Sequence, residues 1–197
     1  MITLLVPLPK QLTVAFSGGV DSCAAVDFLS RKHDVTCAFF HHGTENSERA
    51  YEFVANFCSD RRLSLIFARI SEPIVPKGIS QEEHWRDQRY TFLRTLGPVI
   101  TAHHLDDCVE TYIHSALNGT PKVIPMIRNN VLRPFLTTRK SELISWCQRH
   151  DVPWIEDTSN QDSKYMRNYI RNELMPHALR VNPGLHTLVK KVVEKQR

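Results

Sequence analysis

Two short stretches of this 197-residue chain carry most of the residues able to do chemistry. The first, Ser17-Gly18-Gly19-Val20-Asp21-Ser22, follows the apolar run Leu12–Phe16 and leads into a segment rich in Ala and Val. A strand that enters a Gly-rich turn and leaves as a helix aims backbone N–H groups, and the positive end of the helix, at one point in space. A phosphate chain fits there. The stretch differs from G-x-x-x-x-G-K-[ST], because it has no lysine to sit on terminal phosphates. Asp21 stands where the helix begins. A carboxylate at that place repels phosphate unless a cation lies between them, which implies Mg²⁺ held by Asp21 against the phosphates. Read without that context, the same residues make a tight turn with a helix cap.

The second stretch runs His103-His104-Leu105-Asp106-Asp107-Cys108-Val109-Glu110-Thr111. Asp106 and Glu110 share one helical face, and Asp107 and Thr111 the next. Like charges so spaced disfavour an isolated helix by about 0.3 kcal/mol. One aspartate is accounted for by the helix dipole. Two His, two Asp and one Glu at a strand end mark a candidate site. His41-His42-Gly43 is either a second piece of that site or a loop surface. Arg86 and Arg89, three apart, either clamp a carboxylate or phosphate by paired hydrogen bonds or form surface salt bridges.

The elements that must position these groups alternate. Leu12–Phe16, Val35–Phe40, Leu63–Ile70 and Val99–Ala102 read as strands. Asp21–Arg31, Ser47–Ser59, Ser80 to about Leu96, Leu105–Leu117 and Thr138–His150 read as helices. Ser71–Ile79 and Asn118–Val131 read as loops, and Tyr165–Met175 and Pro176–Val193 as two short helices. The predicted fold class is α/β, a doubly wound parallel sheet with a small C-terminal helical extension. Residues 1–130 are expected to form the phosphate-binding catalytic domain, and 131–197 the rest of the core with a basic helical tail. In such sheets ligands bind beyond the carboxyl ends of the strands, where the Gly-rich turn and both His pairs fall.

Composition narrows the classes. Hydrophobic residues make up 42% and charged residues 23%, as in a globular domain, and no apolar run suits a membrane span. Five dispersed cysteines without a C-x-x-C pair, and a start without signal-peptide character, point to a reducing cytoplasm. From Lys164 onward there are eight Lys or Arg against two Glu, a net +6; the first 163 residues hold 17 basic and 19 acidic side chains, a net −2. The tail is either a solvated helix face or a contact for nucleic-acid phosphates.

The turn SGGVDS resembles the PP-loop of ATP pyrophosphatases, which cleave ATP to AMP and pyrophosphate and use the AMP half to activate a carbonyl oxygen. Further stretches extend the likeness from Leu12 to about Pro183. They are Glu82–Tyr90, Arg133-Pro134-Phe135-Leu136 with Arg139, and Trp154–Asp162 leading into Tyr165–Arg171. In order and spacing they resemble tRNA(Ile)-lysidine synthetases, and the IEDTSNQD…YxRNxIR portion is the most specific. The resemblance implies ATP-dependent adenylation of the cytidine at the first anticodon position of an isoleucine tRNA (anticodon CAU). Free L-lysine then displaces AMP. It assigns ATP to Ser17, Gly18, Gly19, Val20, Asp21, Ser22 and His41, with Mg²⁺ at Asp21. Catalysis falls to His104, Asp106, Asp107 and Glu110, lysine or phosphate to Arg86 and Arg89, and tRNA to Arg133, Arg139, Arg167, Asn168 and Arg171. Asn118-Gly119-Thr120-Pro121-Lys122 departs from the R-G-S-G-type loop of the family. A short form is expected, with tRNA selection resting on the core and the basic tail. The alternatives are another PP-loop enzyme that modifies tRNA, a small-molecule amide ligase, or a non-catalytic tRNA-binding protein.

Overall fold

The computed structural model describes residues 2–156 and 166–196. Most of the segment following Glu156, which carries the most specific part of the resemblance, therefore lies outside the described residues. Six strands form one sheet: β1 (Gln11–Ala15), β2 (Asp34–His41), β3 (Ser64–Arg69), β4 (Val99–Ile100), β5 (Ile127–Arg128) and β6 (Val131–Leu132). Their order is β3-β2-β1-β4-β6-β5. All neighbours are parallel except the β5–β6 pair at one edge. The order reverses direction at β1, so a crevice opens between the carboxyl ends of β1 and β4.

The helices are α1 (Val20–Ser30), α2 (Glu45–Asp60), α3 (Gln81–Arg94), α4 (Leu105–Leu117) and α5 (Lys140–Arg149). In α1, Ser22, Cys23, Ala24, Ala25, Val26 and Leu29 are all buried, so small side chains on several faces let it lie close between the sheet and α5. Phe57 and Cys58 of α2, and Leu143 and Cys147 of α5, complete that core. Leu93 of α3 packs with Ala38 and Val99, and Phe92 stacks on Phe40 at 5.8 Å.

Three local readings change. The loop expected at 118–131 contains β5 and the start of β6. Asn129 takes φ +55, which closes a tight two-stranded connection. Asn130 donates to Leu93 O at 2.9 Å and to Gly97 O, tying this hairpin to the end of α3. Second, the tail does not break at Pro176. It runs α6 (Met166–Tyr169), a π-helical turn (Ile170–Leu174) and α7 (Met175–Val181), then restarts after Asn182-Pro183-Gly184 as α8 (Leu185–Glu194). Met175 N–H bonds to Ile170 O, and Pro176 follows in the first turn of α7, where its missing N–H costs little. Third, β4 is only two residues long: its pairing with the equally short β6 ends at the bond from Thr101 N–H to Leu132 O, and the chain then turns into α4.

The turn after β1 depends on Gly18, whose φ is +82. A Cβ there would lie 3.0 Å from Phe53 Cδ1 and 3.2 Å from Ile155. Gly18→Ala should therefore lower stability by about 1–3 kcal/mol in urea unfolding. A loss under about 0.5 kcal/mol would mean that the turn relaxes around the methyl group.

Candidate active site

The Gly-rich turn is held from behind. Ser22 Oγ donates to Gly19 O at 2.9 Å and accepts Ser17 N–H at 3.2 Å, while Ser17 Oγ lies 3.2 Å from Ser22 Oγ. Cys23 Sγ donates to Gly18 O at 3.2 Å, and Ile155 N–H reaches the same carbonyl at 3.0 Å. Gly19 is the N-cap of α1 and supplies no side-chain acceptor, so the first-turn N–H groups at Val20 and Asp21 stay available to an anion.

Asp21 Oδ2 lies 3.5 Å from His104 Nε2 and 3.9 Å from Lys140 Nζ. Its Oδ1 is buried without a hydrogen-bond partner. His104, 1% exposed, caps α4: its Nδ1 accepts Asp107 N–H at 3.4 Å, and Asp107 Oδ2 accepts His104 N–H at 3.0 Å. With Nδ1 as acceptor, the proton of the neutral ring sits on Nε2 and points at Asp21. Burial opposes a charge on His104, but Asp107 and Asp21 outweigh it and raise its pKa above the usual histidine value. His103 differs. It bonds to Thr101 Oγ1 at 2.8 Å, and burial lowers it to about 3, so it is neutral at pH 7.

Asp106 serves as an anchor. Its Oδ2 accepts Lys140 N–H at 2.8 Å, the opening of α5, and its Oδ1 lies 3.2 Å from His186 Nε2 of α8. Burial pushes its carboxyl up, and these two bonds overcome it, leaving it at about 2.

The remaining acids meet the tail. Glu110 is 2% exposed. Arg171 Nε donates to its Oε1 at 2.6 Å and Arg171 Nη2 to its Oε2 at 3.1 Å, while Arg167 Nε reaches Oε2 at 3.2 Å. Both arginines also reach Asp107 Oδ1, at 3.4 and 3.5 Å. Arg167 and Arg171, expected from the resemblance to face tRNA, thus point inward onto two of the expected catalytic acids. Asn168 is buried beside them.

Three further cations gather around Tyr90. Arg86 and Arg89 lie 5.3 and 5.7 Å from the Tyr90 ring. Arg133 is 4% exposed; it donates to Pro125 O at 3.0 Å and to Tyr90 Oη at 3.4 Å, and its Nε has no partner. A guanidinium buried against neutral oxygens alone favours an anionic ligand nearby. Arg89, Arg133 and Arg167 all add to the lowering of half-buried His103. Arg139 is exposed and stands apart, beside α8. His41 Nδ1 accepts Gly43 N–H at 2.9 Å and its Nε2 lies 3.2 Å from Glu48 Oε1, so it braces the turn after β2. Its neighbour His42 stacks with Trp85 at 5.3 Å and is lowered to about 4 by burial and by Arg89. Reading the sequence did not single out Lys140 or His186; both reach Asp21 or Asp106 from distant parts of the chain.

Residues 5–178 match the family model for the PP-loop domain of ATP-binding proteins. The chain belongs to the PP-loop family. Within this PP-loop chain the matched span includes every element of the site except α8. It is 30% identical over 202 residues to the tRNA(Ile)-lysidine synthase of Thermotoga maritima, with 93% of this chain and 49% of that protein aligned. It is 32% identical over 186 residues to the protein of the same name in Shigella flexneri, with 85% and 43% aligned. The chain spans about half the length of the curated relatives it matches. An NH3-dependent NAD synthetase from Campylobacter jejuni shares the fold with a TM-score of 0.57 and 16% identity, over 96% of this chain and 86% of that one. Among the described residues no helix is long and apolar enough to cross a membrane.

Two measurements probe the electrostatics. Removing Arg171 leaves Glu110 buried with only Arg167 beside it, so Arg171→Ala should cost about 3 kcal/mol. Adding Glu110→Gln should recover part of that loss in a double-mutant cycle of urea unfolding; strictly additive losses would refute the pairing. Asp106, held below its ordinary 3.8, contributes stability above about pH 4 that disappears as the pH falls through about 2. Asp106→Asn should flatten that acid limb by up to about 2 kcal/mol, and an unchanged limb would contradict the assignment.

Proposed function

We propose that this chain attaches L-lysine to the cytidine at the first anticodon position of an isoleucine tRNA, at the expense of ATP, with release of AMP and pyrophosphate. The observation that carries this reading is the contact path Asp21–His104–Asp107, with Glu110 joined to Asp107 through Arg167 and Arg171. It links the nucleotide turn to two carboxylates able to receive an ammonium group. Similarity to lysidine synthases over most of the chain supports it.

The demands of the reaction match this arrangement. Near pH 7 a lysine ε-amine, with a pKa near 10.4, is neutral in only about one molecule in 2,500, a cost of roughly 4.6 kcal/mol. Asp107 and Glu110 hold the ammonium, displacing part of the guanidinium contact, and a neighbouring base takes its proton. His104, close to Asp107 and with its Nε2–H aimed at Asp21, links both halves of the site and orients the carboxylates that take the proton. Arg86 and Arg89 hold the lysine carboxylate or the phosphates by charge-assisted hydrogen bonds, and the buried, acid-free Arg133 adds to that positive field. Ser17 to Ser22 cradle the ATP phosphates, and His41 fixes the adjoining turn.

The partnerless Oδ1 of Asp21 fits a divalent cation. Among the described residues no group of three or more His, Cys, Asp or Glu could hold a metal by itself, so Mg²⁺ here would be completed by phosphate oxygens, as is usual for this ion. Bound so, it would neutralise charge on the phosphates. Residues 1–130 form the nucleotide-binding part, and 131–197 complete the core and carry RNA contacts. Five free, buried cysteines fit the reducing cytoplasm, where tRNA is modified.

Asp107→Asn tests the reading. It should reduce lysine incorporation into a CAU-anticodon tRNA transcript by at least about 100-fold while the protein stays folded. Near wild-type incorporation would overturn the role of Asp107. Pyrophosphate release by the unaltered chain should require ATP, lysine and tRNA together; release with a small carboxylic acid alone would point to an amide ligase.

A further inference from the structure

The basic tail is divided by the fold. Arg167 and Arg171 are turned inward onto Glu110 and Asp107, leaving other cations to face solvent. One of them, Lys190 of α8, shares a cavity of about 260 Å³ with Arg139 at the start of α5. Thr137 and Thr187 add hydroxyls to its wall, and His186 lines it too. Glu142 is the one carboxylate on the wall; it accepts Arg139 N–H at 2.9 Å, and against burial Lys190 helps to lower its pKa, so its charge offsets one of the two cations. The remaining positive charge, with a guanidinium fork and two hydroxyl donors around a small opening, matches a phosphate. The opening is a separate place from the Gly-rich turn, and no residue of that turn lines it.

We propose that this cavity between the start of α5 and α8 seats a phosphate of the RNA backbone, which sets the position of the bound strand relative to the site carboxylates. The assignment rests on the RNA-directed reading above. The rim favours a polyanion over an isolated phosphate, because Arg139 and Thr187 are exposed, Lys191 is exposed further along α8 and Lys195 just past its end. Location supplies the rest. His186 lines the cavity and bonds to Asp106 at 3.2 Å, so a phosphate there is one imidazole away from Asp106, with the ring between the two anions. Leu105, the first residue of α4, lines the same cavity. A strand held at this point therefore lies beside the helix that carries Asp107 and Glu110. Arg139 acts as a phosphate contact here, while the buried Arg133 acts inside the site.

The test compares the full chain with Arg139→Gln, Lys190→Gln and the double variant. Affinity for an unmodified CAU-anticodon isoleucine tRNA transcript is measured at several salt concentrations, alongside affinity for ATP. Each single variant should weaken tRNA binding several-fold. The double variant should also lower the slope of log affinity against log salt by about one, the signature of lost phosphate contacts. ATP affinity should not change. Wild-type tRNA affinity and slope in the double variant would overturn the cavity assignment and leave the proposed reaction standing. A parallel loss of ATP affinity would transfer the cavity to the nucleotide and overturn it too. If the unaltered chain binds ATP but no tRNA, the RNA-directed reading falls and the cavity assignment with it.

Discussion

Glu110 is a carboxylate in the interior, and the placing of the C-terminal helices depends on how its charge is met. At 2% exposure an unpaired carboxylate would be costly enough to disfavour the folded chain. Arg171 meets both of its oxygens and Arg167 one of them, which draws α6 and the π turn against α4. The π turn has a local reason as well, since the Ile170 carbonyl takes the Met175 N–H just before Pro176. The ion cluster and the irregular helix are thus adjacent features of one docking surface. Replacing the cluster by apolar side chains of like volume could hold the helices as well, so stability alone does not account for charges at this position.

The parallel sheet was legible because its signals are local. Val14 and Phe16, and Cys37 and Phe39, belong to runs of apolar residues that end at turn residues, and the helices between them carry clear caps, such as Ser80 accepting Glu83 N–H. The hairpin β5–β6 was not legible, because two-residue strands have no period. Asn129-Asn130 between Ile127-Arg128 and Val131-Leu132 was the available hint. The site divides in the same way. The Gly-rich turn and the His103–Glu110 stretch could be picked out because each is continuous in sequence. The junctions between them could not. Asp21 with His104, Asp106 with His186 and Glu110 with Arg171 are pairs 61 to 83 positions apart, brought together by the strand order and by α8 packing through Val189 and Val193.

Arg133 shows why a resemblance in sequence can name a residue without placing it. In the sequence it is one more arginine in a family stretch, and an arginine in a protein acting on RNA invites a surface role. The strand it follows puts it 4% exposed beneath Tyr90, against neutral oxygens. Arg167 and Arg171 are moved inward in the same sense. The exposed cations of the tail are therefore fewer than its +6 suggests; among the described residues they are Arg180, Lys191 and Lys195.

Under the proposed reaction Asp21, Asp106, Asp107 and Glu110, brought in by α1 and α4, would lie on one side of the bound lysine, and Arg133 after β6 with Arg86 and Arg89 of α3 on the other; Arg167 and Arg171, which meet Glu110 and Asp107, would have to give way. A zwitterion spanning that gap would meet its ammonium with carboxylates and its carboxylate with guanidinia, and reversing it would place like charges in contact. Orientation in such a gap follows from the sign of the field, which grows stronger as water leaves and the local dielectric falls. His104 sits on the acidic side with its Nε2 towards Asp21, the side from which a nucleotide phosphate would approach. An amine drawn to the carboxylates would thus arrive where a carboxylate can take its proton, because both ring nitrogens of His104 are engaged. The acids that would bind the ammonium also raise the pKa of His104, so one set of charges would hold both groups.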